Sequence, residues 1–194
     1  MNMKFLVLVL FVNFIACFEH SKQSDFIDQS RYFYWEDMTN SAKDSVLSLL
    51  STNDNVLIYH QGNRQLSDNE ETFSLLDSIQ NWHNKPKELY FYVFNTICEN
   101  SDGAVSELLG IHCVNVVLNN PNYVLNYFKE NKSIERLYAT LMGSEFYFKE
   151  GGTSMMKYNY TEFKNMIEAR VNSDNESIKK ELYSLIEMTM SDMN

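Results

Sequence analysis

The chain has 194 residues, 44% of them hydrophobic, with 26 acidic against 16 basic side chains. That is enough for one domain of ordinary size with a core of its own. A formal net charge of −10 repels phosphate backbones and anionic lipid, so neither nucleic acid nor a membrane surface is an expected partner.

The N-terminus reads as a secretory signal peptide over residues 1–17. Lys4 supplies a basic start, Phe5 to Ile15 is apolar except for Asn13, and the small Ala16 and Cys17 precede a polar exit. The run is shorter than the roughly 20 apolar residues that a membrane-crossing helix needs. Cleavage after Cys17 leaves Ile15 and Cys17 before the cut, whereas cleavage after Ala16 places bulky Phe14 there. The competing reading is a bacterial lipoprotein signal acylated on Cys17, which Phe14 fits poorly. The expected location is the secretory pathway, either secreted or in the lumen of the endoplasmic reticulum or a vesicle.

Residues 18–30 are polar and read as a flexible lead. Tyr32–Trp35 suits a short strand. Ser41–Leu50 carries a helical stripe, and Ser51–Asn55 is a turn. Val56–His60 reads as a buried strand, short, apolar and bounded by turn residues. A polar loop follows, and then Glu70–Trp82 is an amphipathic helix that Pro86 stops. Leu89–Phe94 is a second strand, rich in aromatics. Gly103–Leu109 is a short helix that Gly110 ends in the left-handed conformation, and Val114–Leu118 is a third strand. Pro121–Leu141 is helical through Ile134, Leu137, Tyr138 and Leu141. Glu145–Lys149 and Met155–Tyr158 form a β-hairpin about Gly151 and Gly152. Thr161–Val171 and Glu176–Met190 are amphipathic helices. Strands alternating with helices predict an α/β sandwich around a mostly parallel sheet with an antiparallel edge.

That order resembles the thioredoxin-like fold, in the protein disulfide isomerase branch. Ser45–His60 is similar to the helix, turn and central strand before the family's redox motif. Leu89–Thr96 is similar to the next parallel strand, and Ser106–Ile111 to the helix before the cis-proline strand. Phe146–Gly152, Met156–Tyr158 and the helix at Phe163 resemble the terminal hairpin and last helix. The resemblance implies a thioredoxin-like domain over 31–172 with a helical insertion at 121–142, followed by a C-terminal helix at 173–194. It also implies a vacated redox loop. Where the family carries Cys-x-x-Cys, this chain has Gln61, Gly62, Asn63, Arg64 and Gln65, none of which can attack or resolve a disulfide. The cis-proline position falls on Asn115, where a cis bond would cost about 2.5–4 kcal/mol and a trans one is expected.

Cysteine use leaves two residues after cleavage, Cys98 and Cys113. They read either as a disulfide or as buried free thiols, with a displaced redox pair as a third reading. Asn131, Asn159 and Asn175 open sequons for N-glycosylation. His20, His60, His83 and His112 share no metal-ligand spacing, and no serine elbow or phosphate loop occurs. No catalytic residue, metal or cofactor is therefore expected. The aromatic residues from Tyr32 to Trp35, with Trp82, Tyr90 and Tyr92, read first as core and second as a peptide-binding groove. The functional expectation is a redox-inactive secretory-pathway protein that binds a client or partner protein. The alternatives are a thiol–disulfide oxidoreductase using Cys98 or Cys113, and an acidic calcium-buffering or structural protein.

Overall fold

The three segments expected as sheet strands are helices. The computed structural model describes residues 33–80, 82, 84–147, 158–171 and 174–192. A 3-10 turn at Trp35–Asp37 leads to α1 (Asn40–Ser48), α2 (Asn55–His60), α3 (Glu70–Gln80), α4 (Lys87–Asn100) and α5 (Gly103–Asn119). Then come α6 (Pro121–Phe128), α7 (Lys132–Gly143), two-residue strands β1 (Phe146–Tyr147) and β2 (Tyr158–Asn159), α8 (Tyr160–Arg170) and α9 (Glu176–Asp192). There is no central sheet among the described residues, so neither an α/β sandwich nor a thioredoxin-like domain over 31–172 is present.

Each misread strand has a local cause. Val56–His60 follows Asp54, whose Oδ1 accepts the amides of Val56 at 3.0 Å and Leu57 at 3.4 Å. That N-cap starts α2 and outweighs the β-preference of its valine and isoleucine. Leu89–Phe94 lies within α4, where Leu89, Tyr90, Phe91, Val93, Phe94 and Ile97 are all buried. Aromatics so closely spaced suggest a strand only when two of the helix faces are assumed to be wet. Val114–Leu118 is the second half of α5, which Asp102 caps through the Val105 amide at 3.3 Å. From Val105 to Leu118, α5 buries most of its circumference and leaves a half-exposed stripe at Leu108, Ile111 and Asn115.

Gly110 does not stop α5. A β-carbon there would meet the Leu141 carbonyl oxygen at 2.6 Å and the Glu145 side chain at 2.7 Å. Glycine is present because the end of α7 comes so close. Asn115 lies inside α5 and marks no strand. The expected insertion at 121–142 is core rather than addition. It forms α6, with Pro121 in its first turn, and α7, which packs on α4, α5 and α9. The Tyr138 ring stands edge-on to Phe94 and Phe128, with centroids 5.8 and 5.1 Å away, and its hydroxyl donates to Asn95 Oδ1 at 2.7 Å.

The expected hairpin is also absent. Phe146 pairs with Tyr158 and Tyr147 with Asn159 in parallel register, a direction that no tight turn can connect. Gly151 and Gly152, the signal peptide, residues 18–30, Cys17, His20 and His83 lie outside the described residues. Of the N-terminal aromatics, Tyr34 packs on the rings of Tyr123 and Tyr127 at 5.0 and 4.8 Å, and Trp35 is buried. These residues serve the core.

Candidate functional site

An open cleft of about 620 Å3 lies between the start of α2, one face of α3 and the start of α4. Glu70, Phe73, Ser74, Asp77 and Ser78 line it from α3, at spacings that put all five on one helical face. Asp54, Lys85 and Tyr90 form the opposite wall. Asp54 organises that wall. One carboxylate oxygen caps α2, and the other accepts from the Tyr90 hydroxyl at 2.7 Å and from Lys85 Nζ at 3.0 Å. Burial alone would raise the Asp54 pKa, but these two bonds and the Val56 amide outweigh it and hold the carboxyl below its ordinary 3.8. Burial and the neighbouring Asp54 push the Tyr90 phenol upward, so it remains a hydrogen-bond donor.

The remaining lining is acidic and apolar. Glu70 and Asp77 bring two further carboxylates to the mouth, while the one lysine is held by Asp54. Phe73 is 40% exposed and presents part of its ring to the cleft. Ser74 accepts from Asn55 Nδ2 at 3.0 Å, and Ser78 donates to the Ser74 carbonyl at 2.7 Å. Among the described residues that line the cleft, no histidine stands beside either serine.

The residues expected to form a vacated redox loop do something else. Gln61 ends α2, and Gly62 takes φ +75°, the left-handed value that glycine adopts most easily after a helix. Asn63 donates through Nδ2 to Gln61 Oε1 at 3.3 Å, and Gln65 is exposed. Arg64 donates to Asn55 Oδ1 at 3.0 Å and stands 3.7 Å from Glu71, which braces the start of α2 against α3 behind the cleft. Asn115 donates to Gln80 Oε1 at 2.6 Å, and Gln80 Nε2 meets buried His112 at Nδ1. This pairing joins α5 to α3.

Cys98 and Cys113 come together as free, buried thiols with their sulfurs 4.0 Å apart. They lie in the helical core and not at the end of a sheet. Burial pushes the Cys113 thiol up, the reverse of what an attacking thiolate requires. His60 sits edge-on to Trp35 at 5.4 Å and to Tyr92 at 6.0 Å, beside a second cavity of about 310 Å3. Burial and the nearby Lys43 lower its pKa, which favours neutral imidazole. No group of three His, Cys, Asp or Glu side chains among the described residues is placed to hold a metal ion.

The three sequon asparagines all stand at helix starts. Asn159 Oδ1 accepts the amides of Thr161 and Glu162, and exposed Asn175 accepts that of Ile178 at 3.2 Å. Asn131 precedes α7 and donates through Nδ2 to the Tyr127 carbonyl at 2.9 Å. Capping explains the asparagine at 159 and 175 without a glycan, and at 131 the bond to the Tyr127 carbonyl does so.

Sequence reasoning missed Asp54 and the buried Glu135 and Glu181. The signal for Asp54 is legible afterwards, as an aspartate directly before an apolar run. For the glutamates there was none. Lys132, at the start of α7, contacts both carboxylates and so ties α7 to α9. Compared with known protein families, curated proteins and solved structures, the chain matches none. No helix among the described residues is long and apolar enough to cross a membrane.

Proposed function

We propose that this domain is a binding module of the secretory route, and that it holds a basic polypeptide segment of a partner protein in the α2–α3–α4 cleft. The observation that carries the reading is the cleft's described lining, where Glu70, Asp77 and half-exposed Phe73 stand at the mouth while Lys85 is engaged by Asp54. A lysine or arginine of the partner pairs with Glu70 and Asp77, and an apolar neighbour covers Phe73. The chain's net negative charge steers a basic partner toward any part of its surface, and the cleft fixes where it settles. The leader supports a luminal or extracellular setting.

Exposed ion pairs contribute only about 0.2–1 kcal/mol each, so burial of Phe73 supplies much of the affinity and the carboxylates supply selectivity. The test is fluorescence anisotropy of the full chain with a labelled peptide of alternating lysine and leucine, beside its glutamate–leucine counterpart. Binding of the basic peptide alone is expected, weakening as salt rises. The double variant Glu70→Gln, Asp77→Asn should lose about five- to tenfold in affinity with its circular dichroism unchanged. Equal affinity for wild type and double variant, or no binding of the basic peptide, overturns the reading.

A further inference from the structure

We infer that Cys98 and Cys113 are joined by a disulfide made while the chain folds and then sealed inside the native core. Cys98 lies near the end of α4 and Cys113 in the middle of α5, yet the fold brings their sulfurs to 4.0 Å. A disulfide bond is about 2.05 Å long, so closing the bridge requires the two side chains to turn toward each other. Each sulfur has the other as its hydrogen-bonding neighbour. The bridge would join the last turn of α4 to the middle of α5, beyond the corner that Ser101 and Asp102 cap.

Timing follows from burial. Cys98 is 3% exposed and Cys113 fully covered, and the Tyr138 hydroxyl is bonded to Asn95 one turn before Cys98. With both side chains covered, a disulfide reagent reaches the sulfurs far less readily than it does in the open chain. The chemistry therefore belongs to the open chain. The Cys98 thiolate attacks one sulfur of a small-molecule or protein disulfide and expels a thiolate, which takes up a proton. The Cys113 thiolate then attacks the Cys98 sulfur of the mixed disulfide and expels the second thiolate. Two cysteine thiols are oxidised, and one external disulfide is reduced to two thiols. After folding, the same burial shields the bridge from reductants. This inference is independent of the cleft and of any partner.

The experiment uses the wild-type full chain, unfolded and reduced, then folded with oxidised glutathione. No lysine or arginine lies between Lys87 and Lys129, so trypsin leaves both cysteines on one fragment, whereas cleavage after Glu99 and Glu107 parts them. The expected result is a tryptic fragment lighter by about 2 Da, and Cys98 and Cys113 peptides that remain joined after the second cleavage until reductant is added in denaturant. Native protein should resist the same reductant. A chain first folded in the reduced state should then oxidise at least about tenfold more slowly than the unfolded chain, because burial limits access. The inference is overturned if oxidatively folded, helical protein still offers both thiols to iodoacetamide in denaturant. It is equally overturned if reduced native protein forms the bridge as fast as the unfolded chain.

Discussion

Helices α5 and α7 lie against each other, yet only one of them betrays itself in the sequence. Helix α7 has a wet side. Ile134, Tyr138 and Met142 are buried, while Arg136 and Thr140 face solvent, so its apolar residues recur with the helical period. Helix α5 has only a half-exposed stripe, Leu108, Ile111 and Asn115, and two of those three are themselves apolar. Val114, Val116, Val117 and Leu118 are all buried, and what remains to be read is a β-branched run bounded by polar residues. Periodicity records the boundary between core and water more than it records the helix itself. A helix placed at the centre loses that record.

The comparison is broken most forcefully at the contact between α7 and its neighbours. Tyr138→Ala removes a fully buried ring from between Phe94 and Phe128 and strips Asn95 Oδ1 of its donor. A loss of about 3–5 kcal/mol is expected in chemical denaturation. Next comes Gly110→Ala in α5. An exposed helix would gain about 1 kcal/mol from that change, but here the new methyl meets the Leu141 carbonyl, and a net loss of about 1–3 kcal/mol is expected.

An alanine scan sharpens the contrast. Val116→Ala and Val117→Ala, although adjacent, should each cost about 1–3 kcal/mol, because the buried side of α5 is wide enough to hold both. In α7, Ile134→Ala should be costly, whereas exposed Thr140→Ala should stay within about 0.5 kcal/mol. If the α5 scan alternated as the α7 scan does, the comparison would fail.

Helix α2 tests the opposite extreme, a helix decided by its cap. The Asp54 carboxyl is held below its ordinary 3.8 in the folded chain. Its charge therefore contributes stability that is complete above that value and is lost as pH falls through the lower, folded one. Thermal melts of wild type and Asp54→Asn should differ at pH 6, with wild type the more stable. The gap should close as the pH is taken below 3.8.

Legibility in the sequence follows the same division. Helices α3, α8 and α9 are amphipathic, and the sequence pattern locates them within a few residues. Helices α2, α4 and α5 read as strands because valine, isoleucine and aromatics suit both states; the Asp54 cap decided α2, and burial in three dimensions decided α4 and α5. Taking those three as strands then produced the thioredoxin resemblance and moved Arg64 and Asn115 into roles they do not have. At the cleft, the α3 face was visible as a helix, but Asp54 and Tyr90 were hidden behind a turn and a supposed strand. The meeting of Cys98 and Cys113 depends on how α4 and α5 cross, which no local pattern encodes.

The close passage of α7 over Gly110 has a consequence for descent. Most positions in a helical core accept exchanges among leucine, valine, isoleucine and methionine, so lineages drift apart until overall similarity fades. A backbone carbonyl seated where a side chain would begin leaves no such latitude. In a diverged cousin built on the same crossing, a lone glycine amid an apolar helix, followed about thirty residues later by the end of another, would outlast nearly every other trace of common ancestry.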